Sequence, residues 1–134
     1  MATRIRAEFR LLGSKLDHAA ITSALGLKPT ATWTAGDLIP KTRLRRDQDA
    51  WIFSMPTREE LDVSNALAEL LQTIAQVAKR VAKLREASPV QPMISCVVYV
   101  EDAAPSVYLT NAMLHAIDSL GAGLDIDLIL STAS

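Results

Sequence analysis

Residues 4–11 alternate strictly, with Arg4, Arg6, Glu8 and Arg10 set against Ile5, Ala7, Phe9 and Leu11. Successive side chains of a strand point to opposite faces, so this segment buries one face and turns the other to water. Gly13-Ser14 ends the run. The same period returns near the end of the chain. Ile94, Cys96, Val98 and Val100 alternate with Ser95, Val97, Tyr99 and Glu101, and Leu124, Ile126, Leu128 and Leu130 with Asp125, Asp127 and Ile129. Strands of this kind belong to a sheet that is covered on one side only.

The covering layer reads as helical. Asp17 suits an N-cap for a short helix carrying Ala20, Ile21, Ala24 and Leu25 inward, with Gly26 and Pro29 closing it. Thr57 and Glu60 have capping-box spacing after Pro56, and Leu67, Leu70, Ile74, Val77, Val81 and Leu84 recur at helical steps. Ser64-Asn65 is an alternative start for that helix. Lys79, Arg80, Lys83 and Arg85 fall in its last turns, where cations complement the helix dipole. A third helix is predicted over 107–120, with Met113, Leu114, Ile117 and Leu120 inward. Residues 28–40 read as an ordered loop, and 41–46 and 49–55 as two short strands. The predicted order is β-α-β-β-α-β-α-β in one α+β domain over residues 1–134. It makes a two-layer sandwich, three helices on one face of a mainly antiparallel sheet, with a ferredoxin-like beginning.

Composition narrows the function classes. With 134 residues, 49% hydrophobic and 22% charged, the chain can bury one core unaided. A net charge of −1 argues against nucleic acid or an anionic membrane surface as a partner. No apolar run reaches the roughly 18 residues of a membrane span, and residues 1–6 hold no apolar signal core. The expected location is therefore cytoplasmic. One cysteine, Cys96, beside only His18 and His115 gives neither a disulfide nor a zinc set, so no metal and no cofactor are expected.

The densest local punctuation is Leu25-Gly26-Leu27-Lys28-Pro29-Thr30, then Trp33, Gly36-Asp37 and Trp51. Together with Phe9, Gly13, Ile21-Thr22 and the closing Leu124-Asp125-Ile126-Asp127, this order resembles a bacterial family catalogued as domain of unknown function 4279. The resemblance runs nearly end to end. It implies an α+β sheet-and-helix domain and carries no activity, cofactor or catalytic residue with it.

Two readings of this segment stand side by side. In one, Gly26, Pro29 and Gly36-Asp37 are turn residues, and the indoles anchor the loop on the sheet. In the other, Trp33 and Trp51 line a pocket with Thr30, Asp37 and Arg43 on its polar rim. Lys41, Arg43 and Arg45 would project from one strand face and hold a phosphate, a carboxylate or an acidic partner, or else guard an edge strand. Asp125 and Asp127 are expected to meet Arg4, Arg6 and Arg10 across the sheet rather than to hold a cation. Cys96 points into the core, and no catalytic set assembles around it.

These observations favour a non-enzymatic binding or protein-interaction module, of which a toxin-neutralising immunity protein is one form. The alternative is a small-molecule or anion-binding sensor or carrier using the Trp33/Trp51 region, and an enzyme ranks last. A homodimer is expected through the uncovered face, with Ile52, Val97, Tyr99 and Ile129, or through a strand edge.

Overall fold

The alternating segments do become strands of one sheet, the first two at its centre and the last at its edge. The computed structural model describes residues 2–130. In chain order it contains β1 (Arg4–Gly13), α1 (His18–Leu25), β2 (Ala31–Trp33), β3 (Asp49–Ser54) and β4 (Arg58–Glu59). Then come α2 (Val63–Ala75), α3 (Ala78–Ala87), β5 (Gln91–Val100), α4 (Asn111–Ser119) and β6 (Gly123–Leu130). The sheet order is β2-β3-β1-β5-β6, and β4 pairs with the start of β1, Arg4 opposite Glu59.

The apolar face of β1 supplies Ile5, Ala7, Phe9 and Leu11 to a single core. There they meet Ile94, Cys96 and Val98 of β5, Trp51 of β3, and a stripe of α2 comprising Val63, Leu67, Leu70 and Ile74. Each fully buried side chain of this kind contributes about 1.5–3 kcal/mol. The ends of α1 follow the local signals. Asp17 accepts a bond from the Ala20 N–H at 3.0 Å. Gly26 takes φ 68°, and its N–H donates to the Thr22 carbonyl at 2.9 Å. Arg80 of α3 adds a bond to the Leu25 carbonyl at 3.1 Å, tying the two helices together.

The architecture is α+β as expected, but the sheet is mixed, and there are four helices among the described residues. β6 runs parallel to β5 because α4 is a crossover that returns the chain to the end of the sheet where β5 began. α4 itself starts at Asn111, where the Thr110 hydroxyl accepts from the Met113 N–H at 3.2 Å, not near residue 107.

The long periodic stretch divides into α2 and α3. Asp62, rather than Thr57, caps α2 by accepting from the Ser64 N–H at 3.0 Å. Arg58 and Glu59 are extended instead, paired with β1. The break falls at Gln76-Val77, whose N–H groups bond to Thr73 and Ile74, three residues back rather than four. Val77 and Val81 keep reaching the same core, so the apolar spacing passes through the bend unchanged.

Residues 41–46 do not form a strand of the sheet. They fold back on residues 36–39 to make a separate ribbon, the arm. Gly36 N–H donates to the Arg46 carbonyl at 2.9 Å, Arg46 N–H to the Asp37 carbonyl at 2.7 Å, and Ile39 N–H to the Leu44 carbonyl at 2.8 Å. Pro40 lacks an N–H and Lys41 takes φ 65°, so the chain turns there instead of extending toward β3.

The topology and the burial of the sheet correct two further expectations. β5 lies between β1 and β6, so the arginines of β1 do not pair with Asp125 and Asp127. Of the four residues expected in an open patch on the uncovered face, Ile52 and Val97 are buried, at 3% and 4% exposed, while Tyr99 is half-buried and Ile129 is exposed.

Candidate functional site

On the uncovered face the register sets the site. Glu8 stands between Ser54 of β3 and Ser95 of β5, and Arg10 between Ile52 and Met93. Serines on both sides of Glu8 leave the face low there. At one margin β2 brings Ala31 opposite Ile52 and Trp33 opposite Ala50, which puts both on this same face. The result is a cleft of about 660 Å³. Its charged wall is Arg6, Glu8, Arg10 and Arg46, and its rim includes Thr30, Trp33 and Thr57. Ala31, Ile52, Ser54, Met55 and Pro56 complete the lining.

Glu8 is only 4% exposed, and a buried carboxylate must be paired to remain charged. Arg6 Nε donates to it at 2.9 Å, and Arg10 Nε lies 3.5 Å from its other oxygen. Arg6 also donates to the Tyr99 hydroxyl at 3.1 Å. Burial alone would lower the Arg6 pKa, but the bonds and charge of Glu8 and Tyr99 outweigh it and raise it above the ordinary value. Arg6 is thus a fixed cation, with its Nε engaged by Glu8 and its Nη1 by Tyr99.

The other two guanidiniums differ. Arg10 has its ion pair with Glu8, and its Nε makes no hydrogen bond among the described residues. Arg46, at the root of the arm, lies over the Trp33 ring at 3.6 Å from its centroid. The Nε groups of Arg10 and Arg46 are both buried without a hydrogen-bond partner among the described residues.

A second buried carboxylate holds the arm in place. Asp49 accepts from the Ala35 N–H at 2.7 Å and from the Leu16 N–H at 2.8 Å. Those bonds hold its carboxyl below the usual range, with the nearby His18 adding a smaller push in the same direction. One side chain therefore ties the turn after β1 to the segment after Trp33.

The family model described as Domain of unknown function (DUF4279) matches residues 3–131. The chain belongs to this family. No curated protein and no solved structure matches it. The DUF4279 match takes in the whole lining of the cleft, from Arg6 to Thr57.

Of the residues singled out in the sequence, this DUF4279 fold brings Thr30 and Trp33 to the cleft. Thr30 accepts the Ser54 N–H on its hydroxyl at 2.8 Å. Trp51 is on the opposite face, fully buried, with its Nε1 donating to Thr22 Oγ1 at 3.0 Å. Asp37 accepts from the Thr34 N–H at 2.9 Å within the arm. Arg45 donates to the Gly36 carbonyl at 2.7 Å, and Lys41 and Arg43 are exposed near the tip of the arm. None of these four lines the cleft.

The residues missed were Arg6, Glu8, Arg10 and Arg46, with Ala31, Ile52, Ser54, Met55, Pro56 and Thr57. A signal for the first three was present: one acid among three arginines on the water-facing side of a single strand. Cys96 is remote in character. Burial, and secondarily the charge of Glu8, pushes its thiol up to about 12. Among the described residues no three His, Cys, Asp or Glu side chains gather to hold a metal, and no helix is long and apolar enough to cross a membrane.

Proposed function

We propose that this domain is a non-enzymatic binding module that receives a small ligand in the cleft on the uncovered face of the sheet. The observation that carries the reading is the cleft itself. Its volume of about 660 Å³ falls within the roughly 300–1,000 Å³ of small-molecule sites, and it joins apolar lining to a few fixed polar groups. The lining contains no histidine or cysteine, and its one carboxylate is already held by two arginines, which supports binding over proton transfer or nucleophilic attack. This is the sensor or carrier form of the sequence reading, with Trp33 in the site and Trp51 outside it.

The two indoles make the test direct. A ligand in the cleft changes Trp33 emission in the wild type, while Trp33→Phe leaves only the buried Trp51 as an insensitive reference. Ser54→Phe fills the cleft and should abolish the response. Binding that survives Ser54→Phe unchanged would place the ligand elsewhere and refute the reading.

A second reading, pairing with another copy of this chain, is favoured by the β6 edge. Leu128 is 54%, Ile129 42% and Leu130 69% exposed, so apolar groups stand on both faces of an edge strand. Sedimentation equilibrium on the wild type and Leu128→Lys tests it, and a wild-type monomer at high micromolar concentration would remove it.

A further inference from the structure

The three guanidiniums of the cleft are not equivalent, and their difference names a ligand. Arg6 spends its Nε on Glu8 and an Nη1 donor on Tyr99. Arg10 touches Glu8 only as an ion pair at 3.5 Å, and Arg46 rests on Trp33 with its buried Nε lacking an acceptor among the described residues. A buried N–H without an acceptor is costly, because water cannot reach it and the protein offers nothing in exchange. A guanidinium presents its donors as a planar fork that matches the oxygens of a carboxylate or phosphate.

We infer that the ligand is an oxyanion, a carboxylate or phosphate group on a small apolar body, received by Arg10 and Arg46. The inference rests on the cleft reading above and adds the ligand's chemistry to it. Charge agrees: the cleft gathers three guanidiniums against one carboxylate, in a chain whose net charge is −1. This positive excess is local, so it draws anions to the cleft without making the whole surface an anion binder. The contact between Arg46 and the Trp33 ring fixes that guanidinium before a ligand arrives, which lowers the ordering cost of binding. Met55 and Pro56 offer the apolar body a surface beside the charged wall. Glu8 disfavours a second negative charge near Arg6, so one acidic end is accommodated and the rest of the ligand is uncharged.

The experiment titrates the full chain at low salt with benzoate, phenyl phosphate, the neutral isostere benzamide and inorganic phosphate, read by Trp33 emission and by melting temperature. Benzoate or phenyl phosphate should bind at least tenfold more tightly than benzamide, and inorganic phosphate more weakly than phenyl phosphate. Arg10→Lys and Arg46→Lys keep the charge but lose the fork, and each should weaken the anionic probe by roughly tenfold. Circular dichroism and melting curves verify that both variants fold, and the ratio of benzoate to phenyl phosphate affinity separates carboxylate from phosphoryl recognition. Benzamide binding as tightly as benzoate would overturn the oxyanion inference while leaving the cleft reading intact. So would wild-type affinity in both lysine variants. Failure of every probe, charged and neutral, to move either readout would overturn the inference and the cleft reading together.

Discussion

Trp51 and Trp33 sit on adjacent paired strands, yet they occupy opposite physical environments. Trp51 is 0% exposed among aliphatic side chains, and its one polar atom is satisfied by a hydroxyl from α1. Trp33 stands on the other face, half-buried, and Arg46 covers its ring. A sheet one side of which is packed by helices gives the same residue type two roles. On the packed face an indole is volume; on the free face it is a platform that orients a cation. The comparison shows that an aromatic pair in sequence is not a pocket until pairing places both rings on one face.

The strongest way to break this contrast is Trp51→Ala, which should cost about 3–5 kcal/mol in urea melts by removing a large, fully buried side chain. A loss under about 1 kcal/mol would mean that the packed face does not depend on it. Trp33→Ala should cost under about 1 kcal/mol, since the ring is partly solvated and a cation–π contact of this exposure is worth about 0.5–1 kcal/mol. An equal loss in both variants would erase the distinction.

The smallest effect sharpens the comparison from the side of the arm. The Asp49 carboxyl is held below its unfolded value by the Ala35 and Leu16 N–H groups. Its stabilisation is therefore complete above the unfolded pKa of about 3.9 and is lost as pH falls through the lower folded value. Asp49→Asn should flatten the acid limb of the stability curve below about pH 4. An unchanged slope would show that the carboxylate does not hold the arm.

How much of this was legible varies with the range of the forces involved. The faces of β1 and β5, the Asp17 cap and the Gly26 terminator were readable because each depends on neighbours a few residues away. The division of α2 from α3 was not, because apolar spacing records which face is buried and says nothing of where the axis bends. Strand β4 escaped because two residues carry no period, and the turn chemistry around Pro56 resembled a helix start. The cleft was the least legible part. Glu8 is flanked by serines only through its register with β3 and β5, and Arg46 reaches Trp33 only because the arm folds on itself. Thr30 and Trp33 stand out in the punctuated segment 25–37, whereas Arg6 and Arg10 read as partners for Asp125 and Asp127 and not as the wall of a cleft.

Cys96 lies midway along β5, opposite Ala7 of β1 on one side and Ile126 of β6 on the other, and it is the chain's one cysteine. Its thiol is wholly enclosed and pushed up to about 12, so the folded molecule holds almost no reactive thiolate at neutral pH. A thiol reagent can label it only when the strands beside it part. The chain thus contains a built-in clock. The labelling rate counts the openings at the middle of the sheet, and ligands or substitutions anywhere in the fold can be timed by how far they slow or hasten it.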